Sequence, residues 1–367
     1  MPAATRHDPA DLLDAARGGD RVALARLLSM VERGGPRSRV AAGLAYRSGR
    51  TAYTVGLTGA PGAGKSTLTD RLIAVFLGHT GEDGHAGEDG PGGPDQAPGG
   101  GPSGDPAAAS AGGTIGVLAI DPSSPFTGGA ILGDRVRMQD HALDDRVFIR
   151  SMATRGQLGG LAVAVPDAAR VMAAAGIPLV LIETVGVGQQ EVEVASATDT
   201  TVVVVTPGWG DAIQANKAGL MEIADLFVIN KADRAGTRET RRDLESMLDL
   251  TELGEWRPPI VETVASTGQG VDALWSAIGD HRRHLTERGL LEVIRRERLE
   301  REVRQVLVAR IDQRYGVLRS SPPSVAVLDG LAAGELDPYE AADRLLALVA
   351  SSDPDGPPVD LPGGRGR

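Results

Sequence analysis

Residues 53–68 read YTVGLTGAPGAGKSTL, and no other stretch restricts the possible folds as tightly. A short apolar run leads into a G-x-x-x-x-G-K-S loop, and a helical segment follows. This strand–loop–helix order is the setting that such a loop requires to cradle phosphate. The glycines, Gly59, Gly62 and Gly64, let backbone N–H groups turn inward, and the N-terminus of the following helix adds partial positive charge. Ala60, Pro61, Ala63 and Thr67 complete the wall. Lys65 is placed to bridge the outer two phosphates and Ser66 to offer its hydroxyl to Mg²⁺. The bland alternative is a glycine-rich turn that binds nothing.

The remainder of the chain agrees with an α/β architecture. From Thr51 onward, short apolar runs alternate with helical stretches, which predicts a parallel sheet covered by helices on both faces. Strands are expected at 53–57, 115–120, 147–150, 179–182, 201–205, 226–229 and 260–264. The fold class is therefore a P-loop NTPase sheet with helical additions at both ends. Residues 1–48 form an N-terminal helical segment: Leu12, Leu13 and Ala16 share one face, and Asp20 caps a second helix carrying Leu24, Leu27, Leu28 and Val31. Residues 49–280 form the nucleotide domain. Within it, 78–113 is dominated by Gly, Pro, Ala and acids, has no large apolar residue to bury, and is expected to be a disordered surface insertion. Residues 281–350 make a C-terminal helical arm. Its apolar spacing through Leu291, Ile294, Leu299, Val303 and Val306 predicts one long amphipathic helix over 285–311, and Asp337 and Pro338 open another that runs to about Ala350. A flexible tail occupies 351–367.

Composition narrows the chemistry. The chain of 367 residues has no cysteine, which excludes disulfides, thiolate metal sites and thiol catalysis. Its formal charge of -11 speaks against nucleic acid as a main partner. No run approaches the roughly 18–20 apolar residues of a membrane span, and the start has no basic segment leading into an apolar one, so a soluble cytoplasmic protein is expected. Lysine is nearly absent: Lys65, Lys217 and Lys231 stand against 35 arginines. Each lysine falls inside a segment singled out on other grounds, where a compact ammonium does what a planar guanidinium cannot.

Asn230-Lys231-Ala232-Asp233 follows the apolar run 226–229, at a strand end downstream of the loop. A carboxylate at Asp233 can accept from the N1–H and exocyclic amine of guanine, whereas adenine offers no such donor pair. Asn230 would tie this loop to the phosphate loop, and the Lys231 stem would lie on the base. The next strand ends in Val264-Ala265-Ser266, where the guanine oxygen is usually met by a Ser-Ala pair. Val264 takes the serine position, so hydroxyl support is lost while an Ala265 N–H contact remains expected.

Residues 179–182 run into Glu183-Thr184-Val185-Gly186, in the place of a D-x-x-G element that holds magnesium through water and senses the γ-phosphate with its glycine N–H. Glutamate is a methylene longer than aspartate and still a hard oxygen donor; a purely structural carboxylate is the competing reading. Val187 stands where many small GTPases carry glutamine, with Gln189 and Gln190 further on, so intrinsic hydrolysis is expected to be slow until a partner or rearrangement completes the site. Arg135, Arg137 and Arg155 are in-chain candidates for a catalytic cation. The segment from Asp121 to Asp134, with its hydroxyls and Gly-Gly pair, suits a mobile element closing on metal and phosphate, or else begins with an ordinary Asp-Pro turn.

Taken with GAPGAGKST, DPSSPFTGGAILGDRVRM, SMATRGQLGG at 151–160, IETVGVGQQE at 182–191 and GWGDAIQANKAGLMEIADLFVINKAD at 208–233, the chain resembles the MeaB-type GTPases, also called the ArgK group, over most of residues 10–345. The resemblance implies a GTP/GDP-binding, GTP-hydrolysing chaperone that gates cofactor loading of an adenosylcobalamin-dependent acyl-CoA mutase, typically methylmalonyl-CoA mutase, and protects or reactivates it. It also implies metal and switch roles for Asp121, Asp134 and Glu183, a further switch over 208–217 that includes Lys217, and homodimerisation through the helical arm. The chain departs from the family pattern at the 78–113 insertion and at Val264. Rival readings are a nickel-delivery GTPase, which the absence of cysteine and clustered histidine disfavours; a small-molecule kinase, which has no need of a guanine reader; and a passive GTP-dependent interaction switch.

Overall fold

The computed structural model describes residues 8–82, 113–122, 141, 143–154, 160–184, 197–208, 223–251 and 254–351. Seven strands form among them: β1 (Tyr53–Thr58), β2 (Ile115–Pro122), β3 (Val147–Thr154), β4 (Leu179–Thr184), β5 (Thr200–Val205), β6 (Leu226–Asn230) and β7 (Ile260–Thr263). They make one sheet in the order β3-β2-β4-β1-β5-β6-β7, and every pairing is parallel. Each apolar run expected to be a strand is one, because a run buried on both faces suits the middle of a parallel sheet and little else.

Alternate residues of these strands feed opposite faces. Val55, Leu57, Val117, Leu181, Val202, Val204 and Val228 pack beneath α4 (Lys65–Glu82) and α7 (Val271–Glu287). Leu118, Ile120, Val180 and Ile182 point the other way, toward α5 (Gly160–Ala174) and the N-terminal helices α1 (Pro9–Arg17), α2 (Arg21–Arg33) and α3 (Pro36–Arg47). Val203, Val205, Phe227 and Ile229 cover α6 (Thr237–Leu250). The Asp20 cap read from sequence is in place, accepting from Val22 and Ala23 at 2.8 and 3.0 Å, and Asp8, which the sequence did not single out, caps α1 by accepting from the Ala10 N–H at 2.8 Å.

Two expectations change. Helix α4 continues to Glu82, past the start of the insertion expected at 78; residues 83–112 lie outside the described residues. The single helix expected over 285–311 is two, because α7 ends at Glu287 and α8 runs from Leu290 to Leu318. Gly289 sits at φ +66°, and the Arg288 and Gly289 N–H groups close back on the His284 and Thr286 carbonyls, a left-handed helix stop that only glycine adopts without strain. The break lets Leu285 and Leu291 both enter the core beneath the sheet.

The chain divides into two compact units, 1–299 and 300–367, so the first unit extends beyond the 280/281 boundary read from sequence. In the second, α8 is followed by α9 (Pro322–Ala332) and α10 (Pro338–Ser351), which pack on each other with Ser324, Ala341 and Val349 buried. Asp337 caps α10 by accepting from Tyr339 and Glu340, each at 2.8 Å. Val303, Leu307 and Ile311, spaced one turn apart on α8, remain exposed. Among the described residues, no helix is long and apolar enough to cross a membrane.

At the amino-terminal edge of the strands, a buried polar network fixes the start of α8. Asp199, 3% exposed, accepts from Arg295 Nε and Nη2 at 3.1 and 2.8 Å, from Arg298 Nη1 at 3.1 Å and from the Thr54 N–H at 2.9 Å. Burial opposes its ionisation, but the hydrogen bonds and charge of Arg295, with Arg298 behind, outweigh burial and hold the carboxyl below the usual carboxylate range. Beside it, His281 Nδ1 meets Thr200 Oγ1 at 2.9 Å, and burial, reinforced by His284, pushes its pKa down to about 4. Burial pushes the Asp225 carboxyl up to about 7, against the Thr201 N–H from which it accepts at 2.7 Å and the nearby charge of Arg298.

Candidate functional site

The phosphate-type loop, the 230–233 turn and the ends of β4 and β7 all lie at the carboxyl edge of the sheet, where parallel α/β folds bind ligands. The loop joins β1 to α4 and is shaped by glycine where nothing larger fits. Gly59 has φ +136°, and a Cβ there would lie 2.1 Å from the Val204 carbonyl oxygen on β5. At Gly64, φ +93°, a Cβ would lie 2.4 Å from Asn230 Nδ2.

Side-chain donors hold the loop's carbonyls. Lys65, buried, donates from Nζ to Gly59 O at 2.6 Å and Ala60 O at 3.0 Å. Lys231 Nζ donates to Gly62 O at 2.6 Å, and Asn230 Nδ2 to Ala63 O at 2.8 Å. Because a trans peptide sets its C=O and N–H on opposite sides, drawing Ala63 O toward Asn230 turns the Gly64 N–H the other way. Two of the three lysines thus grip the loop backbone; Lys217 lies outside the described residues.

Asn230, 1% exposed, is the hub. Besides Ala63 it engages Thr263 Oγ1 and the Ala265 N–H, which both donate to its Oδ1 at 3.1 Å. The Ala265 amide, expected from sequence to face the base, is therefore engaged in joining the two loops. Lys231 sits at φ +60°, the one non-glycine residue with positive φ among the described residues, and this backbone turn lets its side chain reach Gly62. Asp233 and Ser266 are exposed and Val264 is buried.

Glu183 closes the loop's far side. It is 3% exposed at the end of β4, and its Oε1 accepts from Ser66 Oγ at 2.5 Å. A hydroxyl and a carboxylate this close form a pair of hard oxygen donors, a set that suits a magnesium ion. The backbone of Asp121 lies in β2, paired with Ala153. Asp134, Gly186, Val187, Gln189, Gln190, Arg135, Arg137 and Arg155 lie outside the described residues.

Arg71 on α4 was not marked by the sequence reading, since an arginine on a helix reads as solvated. It donates to Ala265 O and Ser266 O at 3.1 and 3.2 Å.

Residues 24–83 and 107–317 match the family model described as Methylmalonyl Co-A mutase-associated GTPase MeaB. The chain belongs to the MeaB family. Relatives cover most of the chain: a candidate GTPase of Pyrococcus abyssi is 43% identical over 344 residues, 92% of this chain and 96% of its own length. The GTPase ArgK of Escherichia coli is 34% identical over 77% of this chain and 78% of its own. The mouse protein named methylmalonic aciduria type A homolog, mitochondrial, is 30% identical over 82% of this chain and 66% of its own. Among solved structures, one described as a LAO/AO transport system kinase superposes with a TM-score of 0.64, covering 96% of this chain and 99% of its own at 24% identity, which speaks to the fold. Membership makes this MeaB chain one of a family of guanine-nucleotide-binding GTPases.

Proposed function

We propose that this MeaB-family chain is a GTP-hydrolysing chaperone for an adenosylcobalamin-dependent acyl-CoA mutase, in the first instance methylmalonyl-CoA mutase, whose cofactor loading it gates and which it protects or reactivates. The observation that carries the reading is the family match over 24–83 and 107–317, whose description couples GTPase to mutase.

In this reading the loop amides and Lys65 hold the β- and γ-phosphates, with the ammonium supplied from beside Gly59 and Ala60. Ser66 and Glu183 would hold magnesium, with Asp121 and Asp134 assisting from their segment. When bound, the ion would offset phosphate charge as it develops in the transition state. Asn230 and Lys231 set the distance between phosphate loop and base loop, and the exposed Asp233 carboxylate accepts from the two guanine donors that adenine lacks. Gly186 and the 208–217 segment with Lys217 act as switches. Val187, in the usual glutamine position, leaves intrinsic hydrolysis slow, and the client or a rearrangement supplies about 10³–10⁵ in rate. The exposed stripe Val303, Leu307 and Ile311 serves as a homodimer contact in the cytoplasm.

The test is GTP hydrolysis by the full chain with and without purified adenosylcobalamin-dependent mutases, with ATP as control. Stimulation by one mutase and not by ATP-matched or unrelated proteins supports the reading and identifies the client. Tight GTP binding with no response to any mutase rejects the chaperone assignment.

A further inference from the structure

The 264–269 loop is closed mostly by its own backbone. Val264 N–H donates to Gln269 O at 2.9 Å, and Val264 O accepts from Thr267 and Gly268 N–H, both at 3.0 Å. The Ala265 N–H is held by Asn230. Two successive carbonyls of the loop, Ala265 O and Ser266 O, accept from Arg71 Nε and Nη2 at 3.1 and 3.2 Å. No peptide here is cis, so with Ala265 O drawn toward α4 the N–H of the same peptide, that of Ser266, faces away from α4. Among the described residues, nothing accepts from it.

We propose that Arg71 is a positioning residue for base recognition: by holding the Ala265 and Ser266 carbonyls from the P-loop helix, it orients the Ser266 N–H to donate to the carbonyl oxygen of guanine. The planar fork of arginine matches two successive carbonyls, which a lysine ammonium would engage less rigidly. One rigid helix then carries Lys65 and Ser66 at the phosphates and Arg71 behind the base loop, so the two halves of the nucleotide site are set by one element. The assignment rests on the guanine reading of Asp233.

The experiment measures affinities of the full chain for GDP, 6-thioguanosine diphosphate and pyrophosphate, in the wild type and in Arg71→Met and Arg71→Lys, with thermal melts as a control for folding. In 6-thioguanosine a weakly accepting sulfur replaces the base oxygen. In Arg71→Met, GDP affinity should fall about 10-fold, as loss of one oriented hydrogen bond implies, and the preference for GDP over the thio analogue should shrink by the same factor. Pyrophosphate binding should not change, and Arg71→Lys should recover part of the preference. An unchanged GDP/thio preference in a normally melting Arg71→Met chain overturns the proposal, as does an equal loss for pyrophosphate. Should Arg71→Met fail to fold, Arg71→Gln, which keeps one donor, takes its place with the same criteria. Asp233→Asn is measured alongside: failure to shift preference from GDP toward xanthosine diphosphate refutes the guanine reading itself, whereas a shift with an unmoved thio preference refutes only the role of Arg71.

Discussion

Replacing Asp199 tests how α8 is fastened to the nucleotide sheet. Asp199→Ala would strip four hydrogen bonds from one carboxylate and leave the Arg295 and Arg298 side chains, 26% and 14% exposed, facing a cavity without their counter-charge. Breaking a buried ion pair from one side costs about 3–5 kcal/mol, because the remaining charges stay desolvated. In a unit as large as 1–299, each kcal/mol corresponds to about 2 °C, so the melting temperature should fall by about 6–10 °C. Asp199→Asn should cost a similar amount, since it keeps the volume but aims an amide donor at a guanidinium. Urea titration of wild type, Asp199→Ala, Arg298→Met and the double variant should show non-additivity of about 1–3 kcal/mol, the second substitution costing little once the first is made. The sign with pH follows from the depressed carboxyl: its contribution is complete above the ordinary carboxylate range and is lost as pH falls through the lowered folded value. A loss below about 1 kcal/mol in Asp199→Ala, or strict additivity in the cycle, would refute the view that this carboxylate holds the helix.

Three further outcomes are expected. His281, whose pKa is driven to about 4, stays neutral in the fold while the unfolded chain takes up a proton near 6.5, so its own contribution to stability declines as pH falls from about 6.5 to 4, while Asp225, raised to about 7, gains a proton in the fold first and offsets that decline over the same range. Thermal melts across that range should show little net change in the wild type, a gain on acidification in His281→Gln, and a decline in Asp225→Asn, which removes the oppositely shifted carboxyl. Gly59→Ala sets a methyl 2.1 Å from Val204 O at φ +136°, and calorimetry should find nucleotide binding abolished together with a loss of stability of about 2 kcal/mol or more. Ser66→Ala, which removes the hydroxyl 2.5 Å from Glu183, should raise the magnesium concentration needed for GTP hydrolysis by about 10-fold or more while leaving metal-free GDP binding intact.

The strands, the phosphate loop and the 230–233 turn were legible in the sequence because each rests on local chemistry. Buried parallel strands are continuous apolar runs, a phosphate loop needs glycines at fixed offsets, and helix caps such as Asp20 and Asp337 act on amides two or three residues away. The family strings carried the GTPase assignment for the same reason. The helix stop at Gly289 was equally local, yet the apolar spacing on either side of it hid the break, since the same face continues into the core from both helices.

What the sequence determined, then, is which elements form and which segments carry the nucleotide chemistry. Only the tertiary structure decided how they bear on one another. Asn230 joins Ala63, Thr263 and Ala265 because the sheet sets β6 beside β7 and brings its end under the phosphate loop. Glu183 meets Ser66 because β4 pairs with β1 in register. Arg71 and Asp199 have no signature at all: each is one arginine or aspartate among many along the chain, and its role comes from partners distant in sequence that the parallel sheet, with its long crossovers, brings within hydrogen-bond reach.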